Sequence, residues 1–586
     1  MSLKKYSMLA IKAGVGLVPK PVRNFAKKNP ALTSLYSRSL QKSGLFYGFP
    51  SKKKLQALYN QSLAKQASDM NQILADLPVL HAKISVAIIG NDALGVSKTL
   101  ASLVHQSAHI ESVLVQCTLF KQQTNTKTLN ITAFNHLTDD VVTSENVPLL
   151  LLECGDELHP STLALLARQH ITSLLYVDTD EKNAGNTFEN ARMLPDWNPD
   201  YQLTYGYIET GVVLPADWRK TISTITAKSI AGLIGEWWLK SPGMVVEHFP
   251  YALIHRPDSN AKKRAQLKEI TQLVNTIDAR SRVVSDKLVN VIQWPIFNTP
   301  LVSLIIPTKN AKELVKECIE SILTKSTYQN FEILLVDNNS DEPESLAYFE
   351  ELNQHEKIRV LKYPHPFNYS AINNFAAQQA KGEVIGLINN DIEVITPDWL
   401  EYMVGHALRE DIGCVGAKLM YGDDRIQHAG VVLGYGGGAG HAHKYFPRYH
   451  PGYMNRLIAS HNYSAVTAAC LLVKKSLFDA VGGLNETDLT VAFNDVDFCL
   501  RVRAQGVRNL YCAEAELYHH ESVSRGLDVS KEKMARFNAE LDYLKSNWAE
   551  VIAHDPAYNP NLTLRRENFS IKEKSEQESS IQSSRA

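Results

Sequence analysis

A polar triplet, Asn389, Asn390 and Asp391, follows directly on an unbroken apolar run from Val384 to Ile388. Such a run is typical of a buried strand in a parallel sheet. Because open α/β sheets leave their strand ends free for ligands, we expect the triplet to lie in a binding crevice. A carboxylate with oxygen donors beside it suits a hard divalent cation, which would in turn hold a diphosphate.

Two earlier apolar runs end in polar residues in the same way. Thr308 and Asn310 follow a run that begins at Val302, and Asp337 and Asn339 follow a run from Glu332 to Val336. In a parallel sheet with right-handed crossovers these strand ends share one edge, so the three loops are expected to line one crevice. The alternative for Asp337 with Asn339 is a plain Asx turn.

Asp495 lies in a segment that is predicted to form the first turn of a helix, with apolar Val496, Cys499 and Leu500 on one side. A carboxylate pointing out of a helix start into the crevice can act as a general base on an acceptor hydroxyl. The alternative is an acidic first turn that only satisfies the helix dipole.

His519 leaves an apolar segment, and Ser524 and Arg525 follow it closely. A neutral imidazole can give a nitrogen to a metal, and an arginine can clamp phosphate. A histidine in such a place can also be an ordinary core or surface residue, so the residue type alone leaves both roles open.

The elements around these residues occur twice. A strand from Ile84 to Ile89, then Gly90-Asn91-Asp92, a helix and a second strand repeat the order that begins at Val302. We therefore predict an α/β protein of two tandem domains with mostly parallel sheets.

Composition excludes several classes of protein. The 586 residues carry a net charge of -1, with 44% hydrophobic and 21% charged residues, so no overall field would attract nucleic acid. The seven cysteines are scattered, which indicates buried thiols in a reducing compartment. No apolar stretch reaches the ~20 residues of a membrane-spanning helix, and a cytoplasmic location is expected.

The amino-terminal region is strongly basic. Residues 1–68 contain 13 Lys or Arg and no Asp or Glu, interleaved with apolar residues. Such short amphipathic pieces would suit a peripheral contact with the inner face of the cytoplasmic membrane. A solvated lead-in is the alternative, and nucleic-acid binding has no recognised fold to support it.

The second half resembles the family 2 glycosyltransferases of GT-A fold, in particular the two-domain bacterial type of O-antigen and other surface polysaccharide synthesis, including rhamnosyltransferase-like proteins. The resemblance covers roughly Val302 to Leu564. It rests on seven ordered motifs: Val302-Ser-Leu-Ile-Ile-Pro-Thr-Lys-Asn310, Phe331-Glu-Ile-Leu-Leu-Val-Asp-Asn-Asn-Ser340, Phe367-Asn-Tyr-Ser-Ala-Ile-Asn-Asn374, Leu387-Ile-Asn-Asn-Asp-Ile-Glu393, Ser464-Ala-Val-Thr-Ala-Ala-Cys470, Phe493-Asn-Asp-Val-Asp497 and His519-His-Glu-Ser522.

The resemblance implies a role for each motif residue. Asn389-Asn390-Asp391 would replace the family's DxD motif, with Asp391 and His519 binding Mn²⁺ or Mg²⁺ and Asp495 acting as the base. The implied nucleotide-sugar contacts are Thr308, Asn310, Asp337, Asn339, Asn374, Asn389, Asn390, Asp391, Ser524 and Arg525.

The predicted function is inverting, metal-dependent transfer of a sugar from a nucleotide-diphosphate donor to a growing polysaccharide or lipid-linked acceptor. The alternative is a non-catalytic scaffold of decayed transferase domains. In the first copy, Glu153-Cys154-Gly155-Asp156 stands at the metal motif and no helix-opening Asp is found near Glu236, so we expect a degenerate domain. The predicted segments are an amino-terminal extension (1–80), this degenerate domain (81–258), a helical linker (259–300), the catalytic domain (301–570) and a disordered tail (571–586).

Overall fold

The computed structural model describes residues 50–116, 128–139, 142, 146–183, 185–257, 260–277, 280–285, 288–520 and 531–576. Most of the basic amino-terminal region, Ser524, Arg525 and residues 577–586 therefore lie outside the described residues. Within the described residues, no helix is long and apolar enough to cross a membrane.

The first domain is one mixed sheet with helices packed on it. Its strands are β1 Ile84–Ile89, β2 Ile110–Val115, β3 Ile131–Ala133, β4 Leu149–Glu153, β5 Glu157–Leu158, β6 Leu174–Lys182, β7 Phe188–Arg192, β8 Val212–Leu214 and β9 Val246–Arg256. The helix α1 Lys52–Asp76 precedes the first strand of this domain. The other helices are α2 Ala93–Val104, α3 Thr162–Leu166, α4 Pro199–Tyr205 and α5 Ile230–Lys240.

The predicted linker holds a helix and a hairpin, α6 Asn260–Ile277, β10 Arg282–Ser285 and β11 Asn290–Gln293. Ile270 and Val274 of α6 are buried against Leu203 of α4 and Trp238 of α5. The linker helix is thus part of the hydrophobic core of the first domain.

The second domain repeats the arrangement with a larger sheet. Its strands are β12 Val302–Thr308, β13 Phe331–Asp337, β14 Ile358–Lys362, β15 Val384–Ile388, β16 Ile392–Val394, β17 Ile412–Met420, β18 Ile426–His428, β19 Val431–Leu433, β20 Ala439–His441, β21 His461–Tyr463, β22 Cys470–Lys474 and β23 Arg508–His519. Its helices are α7 Lys312–Lys325, α8 Pro343–Leu352, α9 Tyr369–Ala377, α10 Trp399–Ala407, α11 Lys475–Ala480, α12 Asn494–Arg503, α13 Lys531–Asn547 and α14 Ala549–Ala553.

The two sheets have the same strand order. The first runs β3-β2-β1-β4-β8-β6-β9-β5 and the second β14-β13-β12-β15-β22-β17-β23-β16. Each position in one sheet corresponds to the same position in the other, which confirms the predicted tandem α/β architecture. Both sheets are mixed: β15 pairs in parallel with β12 but antiparallel with β22.

The parallel half of the second sheet positions the predicted crevice. The β12 and β13 strands pair in parallel with Thr308 opposite Asp337, and β12 pairs in parallel with β15. The last residues of β12, β13 and β15 therefore lie at one edge, as the apolar runs predicted. Because the side chains of β15 are buried on both faces, only its polar continuation can meet a ligand.

The α1 helix packs on the protein itself. Its buried residues include Leu58, Tyr59 and Met70, and the Tyr59 hydroxyl donates a hydrogen bond of 2.5 Å to Asp180 on β6. Residues 52–68 were predicted to contribute to a membrane-facing segment, but their apolar side is covered by protein. The membrane interpretation therefore finds no support in the described part of residues 1–68.

At the opposite end of the chain, residues 571–576 are packed, although they were predicted to begin a disordered tail. Ile571 pairs with Leu562 as an isolated bridge, and the Thr563 hydroxyl donates to Glu576 at 2.7 Å. The six cysteines among the described residues are all buried, as expected, and Cys117 lies outside the described residues.

A buried ion pair joins the two domains. Asp200 on α4 is 2% exposed and lies 2.5 Å from Arg409, which follows α10. Burial opposes ionisation of Asp200, but Arg409 and Arg508 outweigh it and hold the pKa of this carboxyl below its usual range. Asn462 adds a hydrogen bond of 2.9 Å to the same carboxylate.

Asp200→Asn is expected to lower the free energy of unfolding by about 3 kcal/mol, because it leaves the buried Arg409 without part of its counter-charge. Urea denaturation followed by tryptophan fluorescence would measure the shift in midpoint. The matched control is Asp217→Asn, which removes an exposed carboxylate of the same domain. Equal midpoints for the two variants would contradict a stabilising role for the pair.

Candidate active site at the carboxyl edge of the second sheet

Asp391 and His519 meet where β15 and β23 end. Oδ1 of Asp391 lies 3.1 Å from Nε2 of His519, and each residue is 6% exposed. The antiparallel pairing of β16 with β23, which sets Ile392 opposite His519, brings them together across 128 positions of the chain. The structure thus places the two predicted metal ligands side by side.

Neighbouring side chains hold the His519 ring. Nδ1 lies 2.7 Å from the side-chain amide of Gln427, and Nε2 lies 3.1 Å from the amide of Asn389. An amide that engages Nδ1 orients the ring and leaves Nε2 directed toward Asp391. Sequence reasoning missed Gln427, because nothing in the local pattern around β18 links it to a histidine far along the chain.

A short segment, Thr467-Ala468-Ala469, forms a wall shared by the Asp391 side and the Asp495 side. The backbone N–H of Asn389 donates to Ala469 O at 2.9 Å, and the Ala468 N–H donates to Oδ2 of Asp495 at 3.2 Å. The Tyr369 hydroxyl donates to Ala468 O at 3.1 Å and lies 3.4 Å from Oδ1 of Asn389. One peptide segment therefore separates the triplet from Asp495.

Asp495 lies in the first turn of α12, as predicted, and is partly exposed. Burial raises the pKa of this carboxyl, and hydrogen bonds from the Ala468 N–H, the Thr467 hydroxyl and the Val496 N–H oppose the rise. Each carboxylate oxygen has two acceptor positions, so these bonds leave capacity to accept a further proton. A raised pKa also makes the carboxylate a stronger base.

The part of the crevice formed by the ends of β12 and β13 contains Thr308, Asn390 and Asp337. The Asn390 amide donates to Thr308 Oγ1 at 2.9 Å, which ties the end of β15 to the end of β12. Oδ1 of Asp337 accepts from the Ser340 N–H at 2.9 Å, which closes a local turn one residue longer than the Asx turn of the alternative interpretation. Its Oδ2 accepts no hydrogen bond within the described part of the chain, so the turn and a ligand contact are compatible.

Two further predicted contacts hold loops in the structure. Both have left-handed backbones, with φ 52° at Asn310 and φ 58° at Asn339. The Asn310 side chain donates to Asp341 at 2.7 Å and accepts from two backbone N–H groups that lead into α8. The Asn339 amide donates to His365 O at 3.0 Å. Their side chains fix the walls of the crevice.

Asn374 is engaged elsewhere. Its amide donates to Leu484 O and to Glu486, both at 2.9 Å, and accepts from the Leu484 N–H at 2.8 Å. These contacts lie beside a cavity of about 460 Å³ around residues 482–487, not among the strand ends. The structure therefore does not bring Asn374 together with Thr308, Asp337 and Asp391.

A second cavity lies next to the helix that carries Asp495. It measures about 330 Å³ and borders Phe493, which caps α12, together with Tyr435, Phe537, Arg565 and Arg566. The glycine-rich stretch before β20 forms another wall, since Gly436, Gly438 and Gly440 line the cavity. The cavity offers aromatic surface and two arginines close to the candidate base.

The donor set at Asp391 and His519 fits a divalent metal. A carboxylate oxygen and an imidazole nitrogen 3.1 Å apart can approach one ion, and amide oxygens from Asn389 or Asn390 are within the same triplet. The oxygen donors of this set suit Mn²⁺ or Mg²⁺, and the imidazole adds one nitrogen ligand.

The equivalent edge of the first domain is closed by its own contacts. Asp178 on β6 pairs with His248 at 2.9 Å and accepts from Asn559 at 2.9 Å, and Asp180 pairs with His255 at 2.6 Å. Asp156 accepts from the Thr210 hydroxyl at 2.5 Å. These three acidic side chains are therefore bonded within the protein.

Part of the second domain matches a known family model. Residues 303–482 match the family model described as Glycosyl transferase family 2. Uncharacterized protein y4gI of Sinorhizobium fredii is 42% identical over 446 residues, 72% of this chain and 49% of that protein. The O-antigen biosynthesis protein RfbC of Myxococcus xanthus is 32% identical over 446 residues, 70% of this chain and 33% of that protein. The chain spans about half the length of the first relative and about a third of the second.

A solved structure with a weaker likeness is the mannosyltransferase PcManGT of Pyrobaculum calidifontis in complex with GDP-Man and Mn²⁺. It is 16% identical with a TM-score of 0.33, and the likeness covers 44% of this chain and 69% of that chain. At this level the likeness carries no argument about ligands.

Proposed function

We propose that this chain, whose residues 303–482 form a glycosyl transferase family 2 domain, transfers a sugar from a nucleotide-diphosphate donor with inversion at the anomeric carbon. The observation that carries the proposal is the arrangement around Thr467-Ala468-Ala469. A carboxylate–imidazole pair lies on one side of this segment and a carboxylate of raised pKa on the other. A group for the leaving diphosphate and a base for the attacking hydroxyl are what single displacement requires.

The proposed base is Asp495. Its carboxylate would take the proton of the acceptor hydroxyl as that oxygen attacks the anomeric carbon and the bond to the nucleoside diphosphate breaks. The backbone N–H groups of Ala468 and Val496 hold both carboxylate oxygens in place, so the base is positioned before the acceptor arrives.

The divalent ion proposed at Asp391 and His519 would neutralise charge on the departing diphosphate. The chain's own contribution is to orient the ligands: Gln427 and Asn389 fix the His519 ring, and β16 holds Asp391 against it. Thr308 and Asp337 at the neighbouring strand ends would contact the nucleoside. Ser524 and Arg525 stay predictions, since they lie outside the described residues.

The cavity beside Phe493 is the proposed entry for the acceptor. Its aromatic side chains offer flat contact area, and Arg565 and Arg566 offer guanidinium groups that bind phosphate. The O-antigen relative from Myxococcus supports a growing surface polysaccharide, free or lipid-linked, as the acceptor class. For the first domain we propose a structural role without transfer activity, because its acidic residues are occupied.

The experiment is to incubate the purified chain and Mn²⁺ with a panel of nucleotide sugars and to follow release of nucleoside diphosphate. We expect metal-stimulated turnover of one donor, at a slow hydrolytic rate when acceptor is absent. Asp488→Asn, an exposed carboxylate on the loop before α12, serves as a control that should behave like the native chain.

Two outcomes without turnover have different meanings. No turnover with saturable binding of one nucleotide by calorimetry would direct the search to the acceptor, added as a cell-envelope lipid extract. No turnover and no nucleotide binding would contradict the proposal and favour the scaffold alternative.

A further inference from the structure

A cluster of possible metal ligands lies on the face of the second sheet that α10 covers, separate from the Asp391–His519 pair. One ring nitrogen of His406, the sulfur of Cys512 and a carboxylate oxygen of Glu514 lie within 4.8 Å of one another. His406 comes from the last turn of α10, and the other two come from β23. Nothing in the proposed transfer reaction uses these residues.

An irregularity of β23 lies at the cluster. In the pairing of β17 with β23, Ala417 lies opposite Cys512, but the next residue, Lys418, lies opposite Glu516. Three residues, 513–515, are thus inserted within the strand. Bulges re-aim side chains and are frequent beside functional sites. Here the bulge presents both Cys512 and Glu514 toward His406.

Two atoms of the cluster are buried and have no hydrogen-bond partner among the described residues. They are Nε2 of His406 and Oε1 of Glu514. His406 is 2% exposed, and this oxygen of Glu514 is buried although the residue as a whole is partly exposed. An unpaired buried polar atom costs about 1–3 kcal/mol, which a bound ion would remove.

The other polar atoms of the cluster contact neighbouring side chains, as the atoms around metal ligands commonly do. The Ser460 hydroxyl donates to Oε2 of Glu514, and the sulfur of Cys512 lies 3.6 Å from the same oxygen. Nδ1 of His406 lies 3.5 Å from Arg409, a contact too long to fix the proton of the ring. Partners of this kind orient the ligands of a metal.

The charges also suit a cation. Burial and the nearby Arg409 lower the pKa of His406 to about 3, so the ring is neutral and has a lone pair to offer. Burial raises the pKa of Cys512 and of Glu514, and a divalent ion would displace both protons and be neutralised by the two resulting anions. Arg409 is already balanced by Asp200 and Asp411.

We propose that His406, Cys512 and Glu514 bind a structural zinc ion. Sulfur, nitrogen and oxygen together are a zinc donor set, whereas Mn²⁺ and Mg²⁺ prefer oxygen. Ligand atoms on one tetrahedral zinc are about 3.5 Å apart, so a contraction of about 1 Å completes the site. The second oxygen of Glu514 or a water supplies the fourth position.

The ion would fasten α10 to the bulge of β23 next to the interdomain pair of Asp200 with Arg409. This places it where the first domain docks on the second. The site is independent of the proposed transfer reaction, and a failure of one does not decide the other.

The test is the zinc content of the full chain, purified without chelator and measured by inductively coupled plasma mass spectrometry. We expect about one zinc per chain, reduced to background in Cys512→Ser. The matched control is Cys470→Ser, which changes another fully buried cysteine on β22 of the same sheet and should retain zinc. Asp391→Ala should also retain it, because the ion is not at the candidate active site.

Cobalt gives a second readout, which can be taken first on the native chain. The native chain produced in cobalt-supplemented cells should show the near-ultraviolet charge-transfer absorption of a cobalt–thiolate bond. His406→Gln should weaken this band and Cys512→Ser should abolish it. A folded native chain that carries neither zinc nor the cobalt band overturns the proposal, as does zinc retained at native stoichiometry in Cys512→Ser.

Discussion

Asp495→Asn is expected to lower the rate of sugar transfer by about 10²- to 10⁴-fold, the range that positioned general bases contribute. The substitution removes the basic oxygen but keeps the size of the side chain, so nucleotide and Mn²⁺ binding should be unchanged. Turnover of the donor identified in the panel, measured beside nucleotide affinity by calorimetry, separates the two effects.

The hydrogen bonds of Asp495 mean that Asp495→Asn should also change the stability of the protein. Oδ2 of Asp495 accepts from the Ala468 N–H and Oδ1 from the Val496 N–H, so an amide nitrogen in either position meets a donor. A stability loss of about 1–2 kcal/mol is therefore expected as well, and thermal melting should accompany the kinetics. Asp488→Asn is the control for charge, and transfer by Asp495→Asn at the native rate would place the base elsewhere.

The pH profile gives an independent check of the same residue. Burial raises the pKa of Asp495 above its ordinary value of 3.8. Because the base acts as the carboxylate, the rate of the native chain should fall as pH falls through that raised pKa. The acid limb should be absent from whatever activity Asp495→Asn retains.

Asp391→Ala is expected to reduce metal-stimulated turnover by at least about 100-fold, since loss of a group that only orients a metal ligand already costs 10- to 100-fold. The carboxylate is one of two proposed protein ligands, and its loss removes the oxygen that lies 3.1 Å from Nε2 of His519. Mn²⁺ binding in the presence of nucleoside diphosphate, followed by electron paramagnetic resonance, should weaken in parallel.

His519→Gln tests the second proposed metal ligand separately from Asp391. Glutamine keeps a polar group but not the imidazole nitrogen, so it should weaken Mn²⁺ binding less than Asp391→Ala does. Asp488→Ala removes an exposed carboxylate and should change neither quantity. Native Mn²⁺ affinity in Asp391→Ala would contradict the proposed ligand and require another site for the ion.

The sequence was a good guide to the elements because their signals are local. The apolar runs that became β12, β13 and β15 are continuous, and each is followed at once by polar residues. A buried strand needs apolar side chains on both faces, and a strand end needs polar ones, so the pattern alone predicts both. The repeat of that pattern predicted the tandem domains.

Side-chain roles were less predictable, because an amide or a carboxylate can serve a ligand or the fold. Asn374 was assigned to the nucleotide from its motif, yet its amide bonds to residues 484–486. Asp178 and Asp180 of the first domain meet His248 and His255, about 70 positions away. Which partner a polar group finds depends on contacts that no local window contains.

By itself, the sequence determined the two α/β domains, the shared edge of three strands, and the triplet, helix start and histidine that could do chemistry there. Only the tertiary structure decided which of them meet. Antiparallel β22 and the long β23 bring His519 to Asp391 and set Thr467-Ala468-Ala469 between Asp391 and Asp495. The same strand's bulge brings Cys512 and Glu514 to His406. The local pattern identifies candidate side chains. Pairings between distant strands depend on the whole sheet, and they decide which of those side chains come together.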